Sequence, residues 1–228
     1  KKYGDKAVVY CHTDGINTNC DIDVDWLTKR LRLILEATIP NVESNWISLD
    51  KDVFREGIWI QIGNYVLRNE DGSVTKHGST FKASTRSKFY KSILNRLIDA
   101  RLDNRVTNTF IDELYNFDDL PMETFIQRRT LNRKFEDYKS ETDMMIPLVK
   151  QGIEVGIQPE IRTTYEYYKT KDGYRIKEIV NSKTDLDVSY YWNIVTKLLD
   201  KFGLAHYVKK KPPLTLLDRK QQSLMDWV

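Results

Sequence analysis

Apolar and polar positions change period along the chain, and each change marks an element. Ala7–Tyr10 is a short apolar run, His12-Thr13-Asp14-Gly15 a tight turn, and Ile16–Asn19 the expected return strand. Asp23 or Asp25 then caps a helix with Leu27, Leu31, Ile34 and Leu35 on one face, closed by Pro40. Trp46–Leu49 and Ile58–Leu67 read as strands, and Asp71-Gly72 as a hairpin turn leading towards Val74. Ser84 or Thr85 is expected to cap a helix whose Phe89, Tyr90, Ile93, Leu94, Leu97 and Ile98 form a continuous stripe. In the second half Phe125–Tyr138 and Ser140–Gln151 are predicted helices, with Ser140-x-x-Asp143 resembling a capping box and Pro147 arguing for a kink or a break. Ile161, Thr163, Tyr165 and Tyr167 alternate as a strand should, and Asp172-Gly173 turns the chain back. Val188, Tyr191, Trp192, Val195, Leu198, Leu199 and Phe202 line a last helix that stops at Gly203, a natural C′ residue. Lys209–Pro213 is basic and Pro-broken, which predicts a linker. The pattern as a whole predicts an α+β fold, with a mixed first half and a more helical second half.

The 228 residues suit one large or two modest domains. With 40% apolar and 30% charged residues the composition is that of an ordinary globular protein, not a disordered, collagenous or disulfide-rich one. No apolar run approaches the roughly 20 residues of a membrane span, and the start lacks the apolar region of a signal peptide. A cytoplasmic protein with no membrane partner is therefore expected. Cys11 and Cys20 flank a polar turn without a second pair, so reduced structural thiols are expected. The chain begins without Met and close to an apolar strand, as the end of something longer would.

The net charge of +3 conceals segregation. Residues 75–105 carry eight Lys and Arg against two Asp, a net +6, and residues 106–124 carry five acidic residues and no Lys or Arg. Residues 127–139 return to basic with Arg128, Arg129, Arg133, Lys134 and Lys139. An oriented electrostatic surface follows from such blocks. Tyr165, Tyr167, Tyr168, Tyr190 and Tyr191 invite a base-stacking role, but tyrosines alternating in a strand and on a helix stripe are expected in the core.

One place has the chemistry of an active site. Tyr10-Cys11-His12-Thr13-Asp14-Gly15 puts a carboxylate at the tip of an apolar strand, which suits Mg²⁺, an ion bound by one or two carboxylates plus substrate phosphates. The segment resembles motif C of family B DNA polymerases, Tyr-x-Asp-Thr-Asp-(Ser/Gly). Val53–Trp59 followed by Gly63-Asn64-Tyr65 stands where that family has a strand ending in Lys-Lys-x-Tyr, and Asp71-Gly72 and His77-Gly78 follow at similar spacing. Arg129–Arg133 and Phe135–Lys139 resemble the archaeal thumb motif around Arg-Pro-Leu-x-x-Tyr-Lys, and Tyr190-Tyr191 with Phe202-Gly203 the last thumb helix. The resemblance covers nearly the whole chain, in order.

What it implies is the C-terminal part of an archaeal-type polymerase, most simply the small subunit of a split enzyme: antiparallel strands plus helix from the end of the palm (1–80), a mainly helical thumb (81–208) and a flexible tail (209–228). Motif A, fingers and exonuclease would belong to a larger polypeptide. The resemblance makes Asp14 the catalytic metal ligand, with Mg²⁺ or Mn²⁺ as cofactor and primer–template DNA and dNTP as partners. His12 departs from it, standing where the family has an aspartate, so altered activity, a degenerate paralogue that only binds DNA and tethers a clamp, and an artefactual change in a fragment all stay open. Gln61–Tyr65 lacks the family's lysines, leaving Asn64 and Tyr65 for minor-groove contact. Lys82, Arg86, Lys88, Arg128, Arg129, Arg133, Lys134 and Lys139 are candidate DNA-backbone contacts. Gln221, Leu224, Trp227 and Val228 resemble the peptide by which archaeal replication proteins bind the sliding clamp.

Overall fold

The computed structural model describes residues 3, 7–12, 15–82, 87–140 and 143–209, with backbone alone at Tyr10, His12 and Lys82. The chain divides into two compact units, Lys1–Gly78 and Ser79–Val228. No helix among the described residues is long and apolar enough to cross a membrane.

The first unit opens with an antiparallel hairpin of β1 (Val8–His12) and β2 (Gly15–Thr18), in which Cys11 faces Ile16 and His12 faces Gly15. Cys11 and Cys20 are exposed, and neither forms a disulfide. Helix α1 (Val24–Thr38) is capped by Asp23, whose side chain accepts from the Trp26 N–H at 2.9 Å. The cap is held in turn, because the Asp23 N–H donates to the Tyr3 hydroxyl and the Tyr3 ring meets Trp26 edge-on. None of the residues of α1 is fully buried; Leu27, Leu31 and Leu35 are half-buried and Ile34 is exposed.

Two strand expectations fail in this unit. Trp46–Leu49 is irregular: the Ile47 N–H donates to the Ser44 carbonyl, and Arg32 donates to the carbonyls of Ile47 (2.6 Å) and Asn45 (3.2 Å). A guanidinium on α1 thus takes acceptors that a neighbouring strand would have needed. Ile58–Leu67 is two strands, β3 (Phe54–Gln61) and β4 (Asn64–Asn69), folded at Ile62-Gly63 with Gly63 at φ 71°. The unbroken apolar pattern across them hides a turn that only the glycine permits. β5 (Val74–His77) follows the expected Asp71-Gly72 turn and completes an antiparallel sheet of order β3-β4-β5.

In the second unit α2 (Ser79–Lys82) precedes α3 (Lys88–Leu102). The cap of α3 is Ser87, whose hydroxyl accepts from the Tyr90 N–H at 3.1 Å; the expected caps Ser84 and Thr85 lie outside the described residues. All six stripe residues of α3 are buried. α4 (Asn108–Leu114), capped by Thr107, occupies the acidic stretch. Phe89 is the hub of an aromatic core, 5.2–5.5 Å from the rings of Phe117, Phe125 and Tyr191.

The predicted helix Phe125–Tyr138 is the largest departure. Its place is taken by the end of one 3-10 turn, a strand β6 (Gln127–Thr130) and a second 3-10 turn at Phe135–Asp137. β6 pairs antiparallel with β7 (Thr164–Thr170), which pairs with β8 (Gly173–Ile176), giving order β6-β7-β8. Between β6 and β7 runs α5 (Met145–Glu154), which starts later than expected. Pro147 neither kinks nor breaks it, because a proline in the first turn removes an N–H that has no intrahelical partner. Leu131, Met145, Leu148, Val149, Tyr165, Tyr167 and Ile176 form the core between α5 and this sheet. α6 (Val188–Lys201), capped by Asp187, closes the unit with Gly203 at φ 69°.

The packing of α5 makes a test. Gly152 is buried, and a Cβ placed on it would lie 2.5 Å from Tyr165 Cε1. Helix propensity alone favours alanine over glycine by about 1 kcal/mol. Because the Tyr165 ring is fixed in the core, Gly152→Ala should instead destabilise the protein by about 1–3 kcal/mol in denaturant titration, and unchanged or raised stability would refute this packing.

Candidate nucleic-acid interface

The β1–β2 hairpin brings His12 and Gly15 into register, leaving residues 13 and 14 to connect them. Asp14 itself lies outside the described residues, and so do Arg86 and the 221–228 peptide with Gln221, Leu224, Trp227 and Val228. Among the described residues no three His, Cys, Asp or Glu are grouped to hold a metal ion.

On the second sheet Asn64 is only 4% exposed, and its side-chain amide donates to the Ile62 carbonyl at 3.3 Å. The side chain is therefore engaged in the β3–β4 turn. A Cβ on Gly78 would lie 2.2 Å from the Gly63 carbonyl oxygen and 2.5 Å from Asn64 Oδ1, so glycine is required where β5 ends beside this turn. Tyr65 is half-buried, its ring stacked on exposed His77 at 4.8 Å with 12° between planes.

The basic residues of the second unit fall into two kinds. Lys88 opens α3 and is exposed. Arg129, Arg133, Lys134 and Lys139 are exposed at the end of β6 and in the loop after it, and among the described residues none of them lies within salt-bridge distance of a carboxylate. The loop carrying the last three is built around Tyr138. Its hydroxyl accepts from the Asn132 N–H at 3.3 Å, and the Arg133 guanidinium lies 4.3 Å over its ring. Beside the loop, Arg162 donates its N–H to the Leu131 carbonyl at 2.7 Å from a left-handed conformation, φ 77°, and is itself exposed.

Arg128 is of the second kind. It stands opposite Glu166 in the β6–β7 register and gives Glu166 Oε1 two hydrogen bonds, at 2.9 Å from Nε and 2.6 Å from a terminal nitrogen. Lys177, just after β8, binds the other oxygen of the same carboxylate. These bonds, from Lys177 first and then Arg128, hold the Glu166 carboxyl below its ordinary value, and the Lys177 ammonium is raised in return. Neither Glu166 nor Lys177 was legible as a partner, since Glu166 lies 38 positions from Arg128 and 11 from Lys177 and strand pairing brings the three together.

The tyrosines are core groups. Tyr165, Tyr167, Tyr168 and Tyr191 are buried, and burial pushes the Tyr167 hydroxyl up to about 12 and raises those of Tyr165, Tyr168 and Tyr191 as well. Gln127 Oε1 accepts from the hydroxyls of Tyr190 (3.2 Å) and Tyr167 (3.5 Å), and the Tyr191 hydroxyl donates to the Phe125 carbonyl.

No protein-family model matches the sequence, and no curated protein matches it. Among solved structures, the chain is similar to the family B DNA polymerase from the hyperthermophilic archaeon Pyrobaculum calidifontis, with a TM-score of 0.52 and 14% identity over 82% of this chain. The chain has a partial polymerase-like fold. It spans 25% of the length of that polymerase. At this identity the likeness is one of architecture: a mixed α/β chain with antiparallel sheets and helices.

The Glu166 cluster makes a pH-dependent contribution whose sign follows from its lowered folded-state value. The stabilisation is present above the unfolded carboxyl range, near 4.5, and is lost as pH falls through the folded value. Thermal unfolding should therefore show the parent more stable than Glu166→Gln above the ordinary carboxyl value of 4.5, with the gap closing as pH falls below it. A gap that is constant with pH would contradict the ionic role.

Proposed function

We propose that this chain is the C-terminal part of a split family B DNA polymerase, supplying one metal-binding aspartate and a DNA-gripping thumb for template-directed nucleotidyl transfer. The observation that carries the reading is the superposition of 82% of the chain on part of an archaeal polymerase. The motifs around Asp14, Tyr65, Arg129–Lys139 and Tyr190-Tyr191 resemble that family in the same order. In this reading the first unit is the end of the palm and the second the thumb.

Asp14 would hold Mg²⁺ together with a carboxylate of the larger polypeptide. Bound there, the ion would neutralise the dNTP triphosphate and activate the primer 3′-hydroxyl. One carboxylate and one imidazole are too few for such an ion, so the donor set fits only as half of a site. His12 brings nitrogen where the family has a carboxylate, which favours Mn²⁺ over Mg²⁺ and weakens the site. That substitution is also what favours the second reading, a degenerate polymerase chain retained to bind DNA and tether a clamp.

The need for a larger partner is supported by the first unit. An amphipathic helix α1 that fully buries none of its residues, exposed Val8, Val9 and Ile16 on the hairpin, and Trp46 at 72% exposure leave apolar surface that a further layer would cover. Lys82, Arg86, Lys88, Arg129, Arg133, Lys134 and Lys139 are the proposed contacts to the duplex backbone, with Tyr65 at its minor groove. Gln221, Leu224, Trp227 and Val228 are the proposed clamp peptide, whose Leu and Trp stand three residues apart beyond a Pro-containing tether.

Primer extension by this chain mixed with the complementary polypeptide tests the proposal. Asp14→Ala should lower extension at least about a hundredfold while leaving duplex binding intact, and unchanged extension would sink the catalytic role. His12→Asp should raise activity in Mg²⁺ relative to Mn²⁺. Removing residues 221–228 should eliminate stimulation by a sliding clamp without affecting extension in its absence. No extension by any combination, with DNA binding retained, would select the degenerate reading.

Duplex binding itself should be electrostatic and indifferent to sequence. Replacing Arg133, Lys134 and Lys139 together by Ala should flatten the dependence of log K on log salt by up to about 0.9 for every phosphate that those side chains neutralise. A strong preference for one base sequence would count against a thumb.

A further inference from the structure

The face of the β6-β7-β8 sheet turned away from α5, which also buries Tyr168 and Thr170, carries a group that the charge pattern of the sequence does not disclose. Arg128 and Lys177 converge on the two oxygens of Glu166, with Arg128 presenting a two-bond fork and Lys177 a point charge. This is the donor arrangement by which proteins hold two oxygens of a phosphate. The cations are not sealed in: the side chains of Arg128 and Lys177 are 62% and 45% exposed, and that of Glu166 is 22% exposed. The exposure of the two cations leaves a competing anion a path to them beside the carboxylate. On the same face, two residues along β6 and two along β7, the hydroxyls of Thr130 and Thr164 meet at 2.9 Å and add a neutral donor. Two cations face the Glu166 carboxylate, and the neighbouring Glu178 carboxylate also acts on Lys177.

We propose that Arg128 and Lys177 form a phosphate-binding site for a nucleic-acid backbone, masked in the free protein by Glu166, which occupies it as an internal anion. The site rests on the DNA-binding reading above and extends it to Lys177, Thr130, Thr164 and a carboxylate that competes with DNA. Glu166 then limits affinity. With the carboxylate in place the thumb slides on its unpaired cations, and a phosphate that displaces it gains two more.

The experiment is a salt titration of binding to a mixed-sequence duplex by the full chain, comparing the parent with Glu166→Gln. Removal of one negative charge should tighten binding at low salt by several-fold to about tenfold and steepen the log–log slope by about one ion. Glu166→Gln/Arg128→Ala and Glu166→Gln/Lys177→Ala should each lose that gain. Glu166→Gln that folds, by its circular dichroism and unfolding midpoint at pH 3–4, yet binds no more tightly than the parent overturns the proposal. A parent that binds no duplex at all fails the DNA-binding reading instead, whatever Glu166 does. Inorganic phosphate titrated alone into Glu166→Gln should give no saturable binding in the range that leaves the duplex titration unchanged. Saturable binding there would assign the site to a small phosphate ligand and overturn the backbone assignment.

Discussion

Pairing of Gln127–Thr130 with Thr164–Tyr167 is the constraint on which the second unit turns. It joins two stretches separated by a helix and two turns, and the layout of the basic surface follows from its register. Tyr165 and Tyr167 face inward onto α5, while Arg128 is brought opposite Glu166. The strand also ends where Leu131 enters the core, so the chain must leave the sheet there. The leaving loop is the one that carries Arg133, Lys134 and Lys139. A one-residue slip of β7 would carry Tyr165 and Tyr167 off α5 and take Glu166 away from Arg128, so burial of these tyrosines enforces the ion pair.

The first unit is organised differently. Its two sheets are small, a hairpin and a three-stranded meander, and a two-stranded hairpin is marginal alone. Local devices supply its order: the Asp23 cap held by Tyr3, the Arg32 fork on the Asn45 and Ile47 carbonyls, and the glycine-only approach of Gly78 to Gly63. These hold the shape of an apolar surface without covering it. Rigid presentation of exposed apolar groups, Trp46 above all, is what an interface needs if little entropy is to be lost on association.

The two kinds of basic residue differ by what opposes them. A cation without a carboxylate keeps its full attraction for any polyanion, whereas one held by Glu166 has part of that attraction already satisfied. Counting Lys and Arg therefore overstates the charge that a partner meets on the β6 face, and the same count misses Lys177, which lies far along the chain from the basic block.

Elements whose instructions lie within a few residues were determined by the sequence alone. The β1–β2 hairpin, the Asp23-capped helix, the Asp71-Gly72 turn, the α3 and α6 stripes and the stop at Gly203 all depend on periodicity, caps or a glycine close at hand. Of the candidate site the sequence alone supplies only the spacing of Asp14, Asn64-Tyr65 and Arg129–Lys139, since spacing is a property of the chain. Tertiary structure decided what depended on distant partners. Ile58–Leu67 folds in two because β4 finds β3 on one side and β5 on the other, Trp46–Leu49 loses its strand because Arg32 takes its carbonyls, and Phe125–Tyr138 yields a strand because β7 lies beside it. Arg128 reads as a free cation in the sequence and is a bound one in the fold, because the carboxylate that neutralises it sits 38 residues away and only strand pairing brings the two together.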